Sequence, residues 1–477
     1  MAKKLIFIAI MAVLLASLGI VLSVLNRPAP KPAATAALPD MEYIIDLRGD
    51  EYQGLASVTI KNDTGEYTII PGDPPSIPGY EPYITNTYPL SRIISVSSGL
   101  ISFDLIAEEA ENLAAFGLDV PRAEIRIKPV RGDELALYIG NPAPDGMSAY
   151  VKKGGSPAVH LSSLWDTDTY LQGVFDFIDT ELSPAATGDG TGGYSFDRIT
   201  LGGAVRQGEE VTIFVRENDE EDPLGQQRTM LRISGPIDAR LNLDRGYPII
   251  ESVFGLSASR AAAKINSNSD LAKFGLDKPW STVAVSGTMG QGLGGFGLRV
   301  SKPDAAGKVY VQREGLDLVY EADASQFPWL ETSWFTLMDG LIIYPFIDLL
   351  SSVEVRTPAR TVSFSLSGVE DDLKVKALDL DIDTANFRSY YQTLLTARYD
   401  EVSAEKPAPG AKPVLEIIYN YRSGKQADTV SFYSTATRRV LTSFNGSRPF
   451  YTFAGYVDKV IADLDQTLAG KRVLPYI

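Results

Sequence analysis

Phe116-Gly117-Leu118-Asp119-Val120-Pro121 returns as Phe274-Gly275-Leu276-Asp277-Lys278-Pro279, a spacing of 158 residues. A catalytic constellation occurs once in a chain, whereas a packing solution can be reused, so this recurrence marks a modular architecture. The glycine lies where a helix must stop: Gly117 or Gly275 supplies positive φ just past the last turn at least steric cost. Leu118 and Leu276 fold back on the helix, and Pro121 and Pro279 block its continuation and hold the preceding residue extended. Each turn then enters a strand, Ile125-Arg126-Ile127 or Val283-Ala284-Val285. Asp119 and Asp277 read as corner residues bonding their own backbone rather than as ligand carboxylates.

The copies extend further. Tyr150 to His160, with Gly155 in its turn, aligns without a gap on Tyr310 to Tyr320, with Gly315 in its turn. A weaker third version runs from Leu441 to Tyr451 around Gly446. Each is an apolar run, a glycine turn and a second apolar run ending in a ring, the signature of a hairpin. Stretches with helical spacing follow at Trp165–Ile178, Trp329–Leu337 and Tyr456–Leu468. Ahead of each copy lies another hairpin and helix: Val58–Ile70 with Leu90–Leu105, Ile199–Ile233 with Ile249–Ile265, and Val353–Leu380 with Phe387–Leu395. In the third copy Glu405-Lys406-Pro407-Ala408-Pro409-Gly410 replaces the turn.

The expected fold is therefore α+β: three related units, each a mixed, mostly antiparallel sheet with helices on one face, following an N-terminal transmembrane helix. The reading divides the chain into a cytoplasmic head (1–4), an anchor (5–25), a Pro/Ala stalk (26–40), unit 1 (41–183), a linker (184–193), unit 2 (194–350) and a diverged unit 3 (351–477). No linker composition appears near Leu350, so units 2 and 3 are expected to share an interface.

Leu5 to Leu25 carries no charge, and only Ser17, Gly19 and Ser23 depart from apolar character. As a helix it is long enough for a hydrocarbon core of roughly 30 Å. A cleaved signal peptide is the rival, because Ala34-Thr35-Ala36 resembles a cleavage site; the length of the run and the intervening Pro28, Pro30 and Pro32 favour an uncleaved anchor. Lys3 and Lys4 before the run and Arg27 and Lys31 after it nearly balance, and a short basic head before one long polar region is the arrangement of a signal anchor. The bulk of the chain is then expected outside the cytoplasm. The absence of cysteine in 477 residues suits an oxidising compartment and excludes a lipoprotein.

A net charge of −16 repels phosphate backbones, which argues against nucleic acid as a partner. His160 is the single histidine, and it holds the register of Tyr320 and Tyr451, so a strand-end ring suffices there. Gly290 to Gly295 matches the dinucleotide pattern GxGxxG, but a strand follows it where a helix N-terminus is needed. Asp379-Leu380-Asp381-Ile382-Asp383 resembles the start of a calcium loop and lacks its glycine and its glutamate; alternation puts its three carboxylates on one sheet face. Glu217 to Asp222 reads as a charged loop, and Ser403-x-x-Lys406 lacks the partner motifs of the enzymes that use that spacing. No catalytic, metal or cofactor site is singled out.

The anchor, the turn, the Leu137-Tyr138-Ile139-Gly140 step and the Tyr150-Val151 strand together resemble an uncharacterised bacterial family, the domain of unknown function numbered four-three-four-zero. The second copy has Leu298-Arg299-Val300-Ser301 at the Ile-Gly step. The resemblance implies a protein of the bacterial inner membrane, single-pass and extracytoplasmic, often encoded beside an ABC-type permease and a gliding-motility-like auxiliary protein. It offers no catalytic residues. The expected function is a binding or scaffold protein accessory to an ABC-type transport or surface-assembly complex. An extracytoplasmic enzyme acting on envelope glycans and a structural spacer are the alternatives.

Overall fold

The computed structural model describes residues 42–186, 196–216, 231–287, 295–447 and 449–474. The expected head, anchor and stalk and most of the expected linker lie outside these residues, as do Glu217 to Asp222 and Gly290 to Gly294. Among the described residues no helix is long and apolar enough to cross a membrane. The chain forms two compact units, Met1–Asp179 and Thr180–Ile477.

The first unit contains β1 (Tyr43–Asp46), β2 (Leu55–Asn62), β3 (Gly65–Ile69), β4 (Gly99–Ile101), β5 (Asp104–Ala107), β6 (Ala123–Pro129), β7 (Leu135–Pro142), β8 (Ser148–Lys153) and β9 (Val159–Ser163). β1 pairs with β4, and the others form one sheet in the order β3-β2-β6-β7-β8-β9-β5. Strand alternation makes this sheet one-sided. In β6, Ala123, Ile125 and Ile127 are buried while Glu124, Arg126 and Lys128 point away, and Arg126 pairs with Glu66. The helix Tyr88–Ser98 lays Leu90, Ile93 and Val96 on the apolar face, in one cluster with Val58, Ile60 and Ile139.

The second unit holds two sheets. The first is built from β10 (Arg198–Gly202), β11 (Val211–Val215), β12 (Leu231–Ser234), β13 (Ala239–Arg240), β14 (Arg260–Lys264), β15 (Ser281–Ser286), β16 (Phe296–Val300), β17 (Lys308–Arg313) and β18 (Leu318–Asp323). The second is built from β19 (Leu350–Arg356), β20 (Thr361–Ser367), β21 (Lys374–Ala377), β22 (Leu380–Ile382), β23 (Glu401–Val402), β24 (Leu415–Tyr421), β25 (Asp428–Ser434), β26 (Arg439–Phe444) and β27 (Phe450–Phe453). Their orders are β13-β12-β11-β10-β15-β16-β17-β18-β14 and β22-β21-β20-β19-β24-β25-β26-β27-β23. The connectivity is that of the first unit. An inner strand (β2, β10 or β19) pairs on one side with its hairpin partner and on the other with a strand from beyond the next helix. Four strands meander outward from there, and the strand that follows the helix closes the far edge.

Several expectations need correction. Every strand pairing in these three sheets is antiparallel among the described residues, so the sheets are not mixed; short turns and the returning edge strand leave no parallel neighbour. Only the last of the three post-hairpin stretches is a long helix, Ala454–Leu468. The first breaks into short turns, Leu164–Thr167, Asp168–Leu171 and Val174–Phe177, because Gln172 and Gly173 are extended. The second keeps one helical turn, Trp334–Leu337, after Pro328. The helix expected over Leu90–Leu105 ends at Ser98 and passes into β4 and β5, and that over Ile249–Ile265 ends at Glu251 and passes into β14.

Inside the second unit the two sheets are joined closely. Tyr399 donates its backbone N–H to Gly340, Ile342 donates to Ala397, and the Trp334 ring meets Phe450 edge-on at 5.9 Å. The helices Thr384–Leu394 and Ala454–Leu468 share a buried hydrogen bond from Thr393 Oγ1 to Asp463 Oδ2, and Tyr456 donates to the Leu394 carbonyl.

Candidate functional site

Both Gly-Leu-Asp turns are helix stops of one geometry. Gly117 has φ 65° and Gly275 φ 68°. The N–H of Leu118 reaches the Leu113 carbonyl and that of Leu276 reaches Leu271, both at 3.0 Å, while Gly117 and Gly275 bond to Ala114 and Ala272. This is the Schellman arrangement, in which a left-handed residue lets two successive N–H groups satisfy terminal carbonyls. Leu271 and Leu276 close the hydrophobic contact that accompanies it. Asp270 caps the short helix before the second turn; Lys273, the N–H of Asn266 and the hydroxyl of Ser267 hold its carboxyl down to about 2.

The expectation that Asp119 and Asp277 bond their own backbone is corrected. Both are exposed, and neither carboxylate has a hydrogen bond or ion pair among the described residues. Water solvates them, since the Schellman bonds already satisfy the corner. Pro121 and Pro279 sit at the exits, two residues before β6 and β15.

The turn and the hairpin, quoted as separate motifs, are in contact. Phe116 meets Tyr150 edge-on at 4.9 Å, and Phe274 meets Tyr310 in the same way at 5.0 Å. Gly140 is the floor of this contact: a Cβ there would lie 2.3 Å from the Phe116 carbonyl oxygen. In the second copy, Ser301 takes the neighbouring role and accepts the Tyr310 N–H through its hydroxyl at 2.9 Å.

The third hairpin departs in register. Val151 faces His160 and Val311 faces Tyr320, nine residues on, but Thr442, their counterpart, faces Phe450, eight residues on. Gly155 and Gly315 each have positive φ at the second central position of their turn, whereas Asn445 and Gly446 are both positive, a tighter type I′ reversal. A one-residue change moves side chains to the other face. Phe450 is thus the buried ring, and Tyr451 lies under the guanidinium of Arg439. His160 is the counterpart of Tyr320 alone; its Nδ1 is 3.0 Å from Ser102 Oγ.

The three carboxylates of Asp379 to Asp383 do not share a sheet face. Asp379 lies in a turn with φ 63°, Asp381 pairs with Lys376 at 3.6 Å, and Asp383 caps the next helix through the Asn386 N–H. The chain reverses before Asp381 and starts a helix after it, so the strand is too short for alternation. Ser403 turns back on Glu405. Among the described residues no group of three or more acids or histidines is placed to hold a metal ion.

Three features carry no motif in the sequence. Arg206 is buried with no carboxylate hydrogen-bonded to it among the described residues, donating to the carbonyls of Gly202 and Trp329 and to Ser281 Oγ at 2.5, 2.6 and 2.8 Å. Burial pushes its guanidinium down to about 10, against the opposing charge of Glu210. It lines a hollow of about 370 Å³ with Glu209, Glu331, Ser333 and Trp334, where the indole N–H donates to Glu209 at 2.9 Å. Second, Asp339 is shared by Arg240 at 2.9 Å and Arg398 at 3.1 Å, and Arg240 is almost wholly buried. Burial, and after it the partly offsetting charges around it, lowers the Arg240 guanidinium.

The third is a hollow of about 400 Å³ in the first unit, lined by Tyr88, Arg92, Trp165, Asp168, Thr169 and Gln172. Trp165 is 74% exposed and Tyr88 73% exposed. The Arg92 guanidinium lies 4.0 Å over the Trp165 ring and donates to its carbonyl. Trp165 thus belongs to no apolar helical stripe; its flanking Asp166 and Asp168 are the one signal of an outward-facing ring.

Fold and site together define a chain of reiterated antiparallel α+β sheets, two of which share one corner geometry. It belongs to the family described as Domain of unknown function (DUF4340), whose model matches residues 77–262 and again 232–413. The two matches start 155 residues apart, close to the turn spacing, and the second runs into the third sheet as far as β23. No curated protein and no solved structure matches the chain.

Proposed function

We propose that this protein is a membrane-anchored extracytoplasmic binding or scaffold protein, an accessory part of an ABC-type transport or surface-assembly complex. In this reading residues 5–25 are the anchor, and three copies of one α+β unit stand outside the cytoplasm on the inner membrane. The observation that carries it is the strand order common to all three large sheets. Reused connectivity gives several similar surfaces along one chain, which suits contact with partners, whereas catalysis needs one singular constellation. The family model matches the chain twice, and the strand order of the third large sheet is what supports a count of three.

The test is gentle detergent extraction of the full chain after crosslinking in intact cells. A permease subunit should be recovered with it in stoichiometric amount. Recovery alone, or release of the chain from membranes by alkaline carbonate, would remove this reading.

A further inference from the structure

We infer that the hollow between Tyr88 and Trp165 is a saccharide-binding groove, taking pyranose rings of a neutral oligosaccharide. This goes beyond the scaffold reading and stands on the groove alone.

Large rings are costly to leave in water; of the other three tryptophans, Trp329 and Trp334 are buried and Trp280 is half-buried. Trp165 is held outward by construction. Arg92 covers one face at 4.0 Å, its Nη2 donates to the Trp165 carbonyl at 2.5 Å, and it reaches Asp166 at 3.4 Å. With one face covered and the side chain 74% exposed, the indole presents its other face to solvent. A fixed aromatic face is the partner for the apolar C–H side of a sugar ring, and fixing it in advance lowers the entropy lost on binding.

The rim supplies the rest. Gln172 is pinned by its backbone carbonyl, which accepts from Asn62 and from the Tyr67 hydroxyl, while its side-chain amide has no partner among the described residues. Among the described residues the Asp168 carboxylate has only Arg122, at 3.9 Å. Thr169 spends its hydroxyl proton on the Asp166 carbonyl and keeps its acceptor capacity. A carboxylate, an amide and a hydroxyl around an aromatic floor match vicinal sugar hydroxyls, each of which both donates and accepts. An uninterrupted run of prolines offers carbonyl acceptors and no N–H donors, so it would leave Asp168 unused. Nucleic acid is disfavoured by Asp166 and Asp168 at the rim. A volume of about 400 Å³ suits one or two rings.

The experiment is a tryptophan-fluorescence titration of the full chain, kept in a detergent without a sugar headgroup, against cellohexaose, chitohexaose and maltohexaose, with decaproline as the competing class. At least one hexasaccharide should give a saturable change. Trp165→Ala should weaken binding at least about tenfold by calorimetry, and Trp165→Phe should restore part of it. Both variants should keep the parental circular dichroism and Tm, because the ring is exposed. No saturable response to any of the three sugars, equal binding by Trp165→Ala, or a response to decaproline alone would overturn the proposal. Loss of the permease partner would leave it standing.

Discussion

Phe116 meets Tyr150 edge-on, with ring centroids 4.9 Å apart and planes at 61°, and through that contact the helix stop is locked to the hairpin. The pair Phe274 and Tyr310 repeats it at 5.0 Å and 68°. Two motifs separated by more than thirty residues are therefore halves of one joint. A double-mutant cycle on Phe116→Leu and Tyr150→Leu, read from the urea transition of the first unit, should give a coupling of about 0.5–1.5 kcal/mol. The cycle at Phe274 and Tyr310 should agree within error. Additive costs in both would show that the rings merely lie near one another.

Gly140 and Gly275 should respond differently to alanine. At Gly275 the added Cβ meets only Ser301 Cβ at 3.8 Å, so the cost is that of the left-handed backbone, about 1–2 kcal/mol. At Gly140 the Cβ would sit 2.3 Å from a backbone oxygen that cannot swing aside. Overpacking of that kind should cost about 2–4 kcal/mol and raise hydrogen exchange in β6 and β7. Equal destabilisation would show that the turn can lift off the strand.

Asp339→Asn should destabilise the second unit by about 2–4 kcal/mol, because it leaves the buried Arg240 guanidinium without its anion. Arg398→Ala should cost less than half as much, since that side chain is half exposed. Thermal unfolding of the two variants provides the comparison. The reverse ranking would place the weight of the junction on Arg398.

The third sheet should fail in alkali. Burial raises the phenols of Tyr390, Tyr391, Tyr419 and Tyr456 well above the ordinary tyrosine range. A raised folded-state value means that the neutral form is bound more tightly in the fold. The stabilisation is whole below pH about 10, the unfolded value, and is lost as pH rises beyond it. Absorbance near 295 nm should therefore show these phenols ionising together with loss of near-ultraviolet dichroism. Tyr419→Phe removes a buried hydroxyl that has no partner among the described residues, so it should be neutral or stabilising by up to about 1 kcal/mol. Reversible titration near pH 10 with the fold intact would contradict this.

What the sequence discloses and what it hides follow from the range of each interaction. The stop at Gly117 is legible because φ of 65° is a demand on a single residue. β20 announces itself through the strict alternation of Val362, Phe364 and Leu366 with Thr361, Ser363 and Ser365. The one-residue slip of the third hairpin is hidden, because Leu441 to Tyr451 looks like its siblings until Asn445 and Gly446 are seen to take positive φ together. Trp165 misleads: it opens the series Trp165, Tyr170, Leu171, Phe175 and Ile178 that reads as helical, yet the segment breaks at Gln172 and Gly173 and the ring is exposed. Arg206 and Asp339 could not be found, since their partners lie 123 residues away at Trp329 and 59 residues away at Arg398.

Edge strands β5, β14 and β23 are made early and housed late. Leu105 of β5 must wait for His160, 55 residues downstream, before it has a neighbour. Until then the β5 backbone is unpaired, and its Leu105 and Ile106 side chains stay exposed even in the finished sheet, with Glu108, Glu109 and Glu111 following as charged guards against wrong pairing. Each sheet can lock only after its final hairpin has been synthesised, so maturation proceeds in discrete clicks of about one sheet's length, and a chain stalled between clicks offers a naked strand to chaperones or proteases.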